Sequence, residues 1–182
     1  MNHVVSTIFD AFDRRGSARY GEEAVSQLQH ALQSGQLAIQ ADADDRLVTA
    51  TLLHDIGHIV GDDAIPENCN SNLDDKHESK GYQFLHEHFG NAVADPVRLH
   101  VVAKRYLCTK NPNYQKELSP TSLKSFFDQG GPMSAEEMAT FEAEPHFREA
   151  IRLRHWDDTA KDPSEVTPQL TQFARYLEAS LS

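Results

Sequence analysis

Apolar residues recur at helical spacing along almost the whole chain, and this pattern limits the possible folds more than any other feature. Stretches that alternate polar residues with valine or isoleucine are missing from the sequence, so sheet content should be close to none. The sequence therefore predicts an all-α helical bundle, and its 182 residues fit a single domain, 1–182. Helices are predicted over residues 4–12, 22–42, 46–56, 77–89, 95–108, 122–128, 135–143, 147–157 and 169–181.

Capping and helix-breaking residues predict where these helices begin and end. Gly16 should end the first helix, and Pro96 should stand at the first helical position of its segment. Ser134 and Glu137 form a capping-box pattern. The polar stretches 61–76 and 109–120 are predicted to be loops.

Charge and cysteine content exclude several classes of protein. Twenty-eight acidic against 17 basic residues leave a net charge of -11, which would repel a nucleic-acid backbone. Cys69 and Cys108 show neither CxxC spacing nor the density of a secreted disulfide scaffold. The sequence also lacks the long apolar run of a membrane span or a signal peptide. We therefore expect a cytoplasmic protein with a small-molecule partner, no nucleic-acid or membrane role and no evident protein partner.

Histidines and carboxylates on neighbouring helices predict a metal centre. A single His-Asp pair such as His54-Asp55 is weak evidence by itself, because such pairs arise often by chance. Imidazoles on neighbouring predicted helices and a second carboxylate strengthen it: His30, His77, His100 and Asp157. Mixed nitrogen and oxygen donors suit iron, manganese or zinc rather than calcium or a thiolate site. Because a carboxylate has two oxygens, Asp55 is the natural bridge between two ions. Spacing alone does not assign the other ligands to one ion or the other.

These motifs resemble the HD-domain superfamily, in particular its mixed-valent di-iron oxygenases, which include myo-inositol oxygenase. The similarity to the phosphonate-degrading HD-domain oxygenases covers nearly the whole chain. It rests on residues 20–23 (YGEE), 54–58 (HDIGH), 98–108 (RLHVVAKRYLC), 129–133 (QGGPM) and 154–161 (RHWDDTAK). The resemblance implies that one iron is held by His30, His54, Asp55 and Asp157, and the other by Asp55, His77 and His100.

The resemblance also implies a reaction. In that family an Fe2+/Fe3+ pair and dioxygen oxidise the carbon that bears a hydroxyl and a phosphonate, and release phosphate and a carboxylate. The substrate would be 1-hydroxy-2-(trimethylammonio)ethylphosphonate, giving glycine betaine, or 2-amino-1-hydroxyethylphosphonate, giving glycine. Aromatic rings near the predicted site favour the trimethylammonio compound, since they can hold a quaternary ammonium: Tyr106, Tyr114, Phe126, Phe127 and Trp156. A primary amine could instead use Glu23 and the acidic residues of the 61–76 loop.

Residues near the predicted ligands would bind the phosphonate and control access. His58, Lys104, Ser122 and Arg154 would form an anion clamp, because Lys104 and Arg154 lie about one helical turn from His100 and Asp157. Without the resemblance, the two cations would be ordinary surface charges, Ser122 a helix-start residue and His58 a capping residue. Tyr20 would occupy an iron position until substrate arrives, with Glu23 assisting the exchange. The alternative is that Tyr20 only packs on the core.

Two other functions remain open from the sequence. Most HD-domain proteins hydrolyse phosphate esters with a metal-bound water, and such an enzyme needs no redox-active metal. A regulatory HD module would bind a nucleotide without turnover, but the full set of predicted metal ligands in this chain argues against such a role.

Overall fold

The computed structural model describes residues 2–60 and 73–182, with side chains in the second range from residue 80 onward. Within these residues the chain is helical and the predicted all-α class is confirmed; an isolated bridge between Arg19 and Ser26 is the one β-type pairing there. The expectation of one domain over residues 1–182 stays a prediction. The helices are α1 (His3–Arg15), α2 (Gln27–Gln40), α3 (Asp45–Leu52), α4 (Leu73–Phe89), α5 (Asn91–Lys110), α6 (Pro112–Glu117), α7 (Pro120–Asp128), α8 (Ala135–Glu142), α9 (Phe147–Thr159) and α10 (Ala174–Ser180).

Capping residues decide where most helices begin and end. Gly16 ends α1, and Ser134 with Glu137 forms the predicted capping box of α8. The prediction that α2 begins at residue 22 was wrong, because Ser26 and Gln29 form a capping box that starts the helix at Gln27. The residues before it form a turn instead.

Other predicted boundaries were also wrong: α3, for example, ends at Leu52 rather than at residue 56. α4 begins at Leu73, four residues before His77. α5 begins at Asn91, so Pro96 lies inside the helix rather than at its first position. Buried Val93 and Ala94 hold the preceding turn against the core, which offsets the hydrogen bond that Pro96 cannot donate.

A further wrong boundary concerns the predicted loop 109–120, which contains the short helix α6. Asn111 caps it by accepting from the Asn113 backbone N–H, and Pro112 occupies its first position. The predicted loop residues 61–72, with Cys69, lie outside the described residues.

Packing between helices places the candidate site. The main core joins α1, α2, α3, α10 and parts of α4, α5 and α9 around Ile8, Leu53 and Phe173. A second core lies between α5, α8 and α9 around Leu99 and Phe141. The most extensive helix contact in the described part of the chain joins α5 and α9. None of the helices in that part is long and apolar enough to cross a membrane.

Candidate metal and anion-binding site

The predicted ligands come from elements that pack against one another. His30 lies on α2, His100 on α5 and Asp157 on α9. His54 and Asp55 lie just beyond the end of α3, and Asp55 precedes the single helical turn Ile56–His58. His77 lies on α4, but its side chain is outside the described residues.

Backbone carbonyls fix the orientation of the imidazole rings. His30 Nδ1 lies 2.8 Å from the Ala160 carbonyl, and His54 Nδ1 lies 2.8 Å from the Thr51 carbonyl. His100 Nδ1 lies 2.5 Å from the carbonyl of Val97. A carbonyl oxygen only accepts, so each Nδ1 carries a hydrogen, and in the neutral ring each Nε2 presents a lone pair. This is the tautomer that a metal ligand needs.

The Nε2 atoms of His30 and His54 meet two carboxylate oxygens. The two nitrogens are 3.1 Å apart. Asp157 Oδ1 lies 3.4 Å from His30 Nε2 and 3.8 Å from His54 Nε2, and Asp55 Oδ2 lies 3.3 Å from His54 Nε2. Asp157 Oδ1 is buried and has no hydrogen-bond donor among the described residues. Acceptors that converge without a donor fit a cation, and one atom each from His30, His54 and Asp55 lies within 4.8 Å of the others.

The two oxygens of Asp55 face different groups. Oδ2 faces His30 and His54, whereas Oδ1 lies 4.0 Å from His100 Nε2 and 4.0 Å from His58 Nε2. The carboxylate therefore separates a first cluster, formed with His30, His54 and Asp157, from a second one on the His100 side. This arrangement fits a bridging ligand, although it leaves the contribution of His77 untested.

The charge balance of the site also suits a cation. Burial by itself would raise the pKa of Asp157, but Arg154 and the nearby histidines hold that pKa well below its usual range. Burial opposes a charge on His54 as well, yet Asp55 and Asp157 raise its pKa to about 9. In a metal-free site a proton would therefore compete with the metal for His54. Burial lowers the pKa of His100 to about 4, so this ring is neutral near pH 7 and its Nε2 lone pair can bind a metal.

Tyr20 and Glu23 lie in the turn between α1 and α2. The Glu23 N–H donates to the Tyr20 carbonyl at 2.9 Å, and the Arg19 guanidinium donates to the Glu22 and Glu23 carbonyls at 2.7 and 2.8 Å. The Tyr20 ring stacks on His30, with 3.8 Å between ring centroids. Burial and the charges of Asp157 and Asp55 raise the Tyr20 pKa well above its usual value. Its hydroxyl is thus close to the first cluster and keeps its hydrogen unless a cation is bound.

The predicted clamp residues line one cavity of about 570 Å³ beside the clusters, together with Tyr20, Glu23, His54, Asp55, His100 and Asp157. Lys104 and Arg154 are 3% and 4% exposed, so they are not surface cations. Lys104 Nζ donates to Ser125 Oγ at 2.6 Å. Burial is the main cause that lowers the pKa of Lys104 to about 8, and the positive charge of Arg154 contributes. Ser122 and the partly exposed His58 complete the set.

Arg154 is held by two neighbouring carboxylates. It donates to Asp157 Oδ2 at 2.8 Å and makes a two-pronged contact with Asp158. Asp158 also accepts from the hydroxyl of Tyr114. Sequence analysis missed Asp158, although its position four residues after Arg154 on one helix was a usable signal. The contacts of Ser125 and Lys161 join distant segments, so residue spacing could not reveal them.

The aromatic residues expected to hold a quaternary ammonium do not line the cavity. The hydroxyl of Tyr106 donates to Glu142, Tyr114 donates to Asp158, and Phe126 is fully buried in a separate core. Phe127 is exposed to solvent, and Trp156 lies under Arg152. Among the described residues, the aromatic side chains that line the cavity, histidines apart, are Tyr20 and Tyr82.

Comparisons with known proteins show the family of the chain. The family model for the HD domain matches residues 27–162. The chain is 41% identical to a hydroxymethylphosphonate dioxygenase of Gimesia maris, over 97% of this chain and 88% of the relative. It is 38% identical to the glycine-betaine-forming [1-hydroxy-2-(trimethylamino)ethyl]phosphonate dioxygenase of Leisingera caerulea, over 94% of this chain and 87% of the relative. An uncharacterized protein of Acanthamoeba polyphaga mimivirus is 33% identical, over 98% of this chain and 82% of that protein.

The chain therefore belongs to the HD-domain family, in the branch that contains these dioxygenases, and is an enzyme of the oxygenase class. The histidine and carboxylate cluster and the dioxygenase relatives together indicate that it uses metal and dioxygen.

Proposed function

We propose that this protein is a di-iron oxygenase that cleaves the carbon-phosphorus bond of a 1-hydroxyphosphonate and releases phosphate and a carboxylate. The observation that carries the proposal is the position of Asp55. One of its oxygens faces His30 and His54, the other faces His100, and the cavity beside it contains two buried cations, Lys104 and Arg154.

His30, His54, Asp55 and Asp157 would hold one iron, and Asp55, His77 and His100 the other. Bound there, an Fe2+/Fe3+ pair would supply the activation of dioxygen and the oxidation of the carbon that carries the hydroxyl and the phosphonate. Imidazole and carboxylate donors suit iron, as they also suit manganese and zinc. The identity and valence of the metals are thus part of the proposal.

The phosphonate would lie against Lys104, Arg154, Ser122 and His58. The contacts of Arg154 with Asp157 and Asp158 use some of its five N–H groups and leave others to meet phosphonate oxygens. Lys104 offers a second buried positive charge. Two buried cations are suited to orient a doubly charged anion.

Tyr20 would hold a coordination position in the first cluster until the hydroxyl of the substrate replaces it. Its stacking on His30 and the raised pKa that burial and the Asp157 and Asp55 charges give its hydroxyl support this role, because both reflect a position beside the first cluster. Glu23 is positioned to assist this exchange of Tyr20 for the substrate hydroxyl. It lines the same cavity, and the hydroxyl of Ser119 holds its carboxylate by a hydrogen bond of 2.5 Å.

For the organic part of the substrate we propose the trimethylammonio group, held by Tyr20, Tyr82 and Glu23. The relative from Leisingera caerulea acts on such a compound by name. Hydroxymethylphosphonate is the second candidate, because the relative from Gimesia maris is named for it. The amino compound that gives glycine is a third.

Metal analysis combined with an oxygen electrode tests the proposal. We expect bound iron, and oxygen uptake matched by phosphate release with at least one of the three 1-hydroxyphosphonates. Glycine betaine, formate or glycine in the product would identify the substrate. Phosphate release from a phosphate ester without oxygen uptake would instead establish a hydrolase, and nucleotide binding without turnover would establish a regulatory module.

A further inference from the structure

Lys161 lies directly after α9, in a segment held on both sides by α2. The preceding carbonyl, that of Ala160, accepts from His30 Nδ1 at 2.8 Å. The following residue, Asp162, exchanges two backbone hydrogen bonds with the side chain of Gln33, at 2.6 and 3.2 Å. Gln33 is 1% exposed. These contacts fix the backbone of Lys161 and therefore the direction of its side chain.

The ammonium of Lys161 is mostly buried and lies between three side chains. Its side chain is 10% exposed. Nζ lies 2.8 Å from Ser122 Oγ, 3.6 Å from Asp158 Oδ1 and 3.9 Å from Glu23 Oε1. The two carboxylates balance the charge, and Ser122 receives the closest contact. Lys161 thereby joins α7, the end of α9 and the turn that carries Glu23.

The contact with Lys161 determines how Ser122 can use its hydroxyl. A lysine ammonium can only donate, so Ser122 Oγ must accept from it. The hydroxyl has one hydrogen of its own, which is then free to point away from Lys161. Ser122 lines the cavity, whereas Lys161 is not among the residues that line it. A donor aimed into the cavity attracts an anion, while a rotated hydroxyl would present lone pairs and repel it.

We propose that Lys161 is a positioning residue that makes Ser122 a hydrogen-bond donor to the phosphonate without touching the substrate itself. This proposal rests on the proposed function insofar as the anion is a substrate. The contact that carries it, between Lys161 and Ser122, does not depend on the metal.

A double-mutant cycle on the iron-loaded protein tests the proposal. We expect Lys161→Met to raise KM about 3- to 10-fold, as for the loss of one hydrogen bond, and to change kcat less than about 3-fold. Ser122→Ala should have a similar effect. In the Ser122→Ala protein, the further change Lys161→Met should raise KM less than about 2-fold, because the hydroxyl through which it acts is gone. Additive effects, or an unchanged KM in either single variant, would overturn the proposal.

Two variants distinguish the loss of the contact with Ser122 from a general loss of structure or charge. Lys161→Arg keeps a charged donor and should restore KM to within about 3-fold of wild type. Lys124→Met, which removes an exposed cation from the same helix as Ser122, should leave KM unchanged. If Lys161→Met does not fold, Lys161→Leu, which also lacks a donor, replaces it in the cycle and should show the same lack of additivity with Ser122→Ala.

Binding of methylphosphonate, measured by calorimetry, makes the test independent of turnover. The same variants should weaken its binding by the same factors, with the same lack of additivity. If the wild-type protein oxidises no hydroxyphosphonate but this pattern holds, the proposed function fails and the role of Lys161 stands. If turnover occurs and the calorimetric effects are additive, the role of Lys161 fails instead.

Discussion

His30 Nε2 and His54 Nε2 lie 3.1 Å apart, each on a ring whose Nδ1 hydrogen is directed to a backbone carbonyl. Two nitrogen lone pairs approach this closely only where a positive species lies between or beside them. A proton can fill that role in the metal-free protein, but it leaves Asp157 Oδ1 buried without a partner. A metal ion satisfies all three atoms, so the geometry of this pair favours metal binding.

Replacing Asp55 by Ala is expected to remove both metals, because its two oxygens face the two clusters separately. His100→Ala should spare the ion of the first cluster, since all four of its proposed ligands remain: His30, His54, Asp55 and Asp157. Metal analysis of both purified variants, with circular dichroism to establish that they fold, checks this. Two metals per chain in Asp55→Ala would contradict the bridging role.

Lys104→Met is expected to weaken substrate binding while leaving the metals in place. It removes a charge-assisted contact with an anion, which corresponds to about 1.5 to 3 kcal/mol, or roughly 10- to 150-fold in KM. Lys110→Met is the matched control, since it removes an exposed cation of the same helix. Arg154→Ala is less selective, because Arg154 also donates to the proposed ligand Asp157. An unchanged KM in Lys104→Met would place the phosphonate elsewhere.

Catalytic efficiency is expected to fall as the pH rises through about 8. Burial lowers the pKa of Lys104 to about 8 in the free enzyme, and only its protonated form attracts the phosphonate. The profile of kcat/KM against pH reports this pKa. In Lys104→Arg the guanidinium stays charged, so the fall should disappear below pH 10. A fall that persists unchanged in this variant would assign it to another group.

Gly35→Ala is expected to destabilise the protein by about 1 to 3 kcal/mol. A Cβ at this position would lie 2.6 Å from the ring of Phe173, which is fully buried. This crowding should outweigh the roughly 1 kcal/mol that alanine gains over glycine in a helix. Gln40→Ala, at an exposed position of the same helix, is the control, and thermal unfolding is the measurement. If the clash is the cause, Gly35→Ala should destabilise the Phe173→Leu protein less than it destabilises the wild type.

The helices could be predicted because each needs only local information. Apolar spacing located most of them, and Ser134 with Glu137 predicted the start of α8 correctly. The equivalent pair Ser26 and Gln29 was also present in the sequence, so the wrong start of α2 was avoidable. A glycine inside a helix is ordinarily a weak point, but Gly35 leaves room for the ring of Phe173, which comes from far along the chain.

The candidate site was partly predictable for a related reason. Residues that belong to known motifs, such as His54 and Asp55, were found from the sequence. The contacts that hold the site in place were not found, even where one partner belongs to such a motif, because they cross the fold. Lys161 reaches Ser122, 39 residues away, and Gln33 reaches Asp162, 129 residues away. Such pairs follow from packing of α2, α7 and α9, which spacing along the chain does not encode.

Tyr20→Phe is expected to leave the fold intact but to make the reduced enzyme lose activity faster under air when no substrate is present. The Tyr20 hydroxyl lies by Asp55 and its ring stacks on His30, so the phenyl ring of the variant can keep the stacking. It cannot serve as a ligand, and a coordination position would stay open to water or dioxygen. Substrate should protect both proteins equally, since its own hydroxyl would fill that position.

A charge-transfer band between tyrosinate and iron provides the direct measurement for Tyr20. Burial and the two carboxylates keep the Tyr20 pKa well above its usual value, so a phenolate near neutral pH requires the charge of a bound cation. We therefore expect the band in the oxidised wild-type protein without substrate, its loss on adding substrate, and its absence from Tyr20→Phe. Tyr106→Phe is the control and should retain the band. It removes a hydroxyl that donates a hydrogen bond to Glu142 outside the cavity. If wild type lacks the band and Tyr20→Phe has the same tolerance to air, Tyr20 is a packing residue.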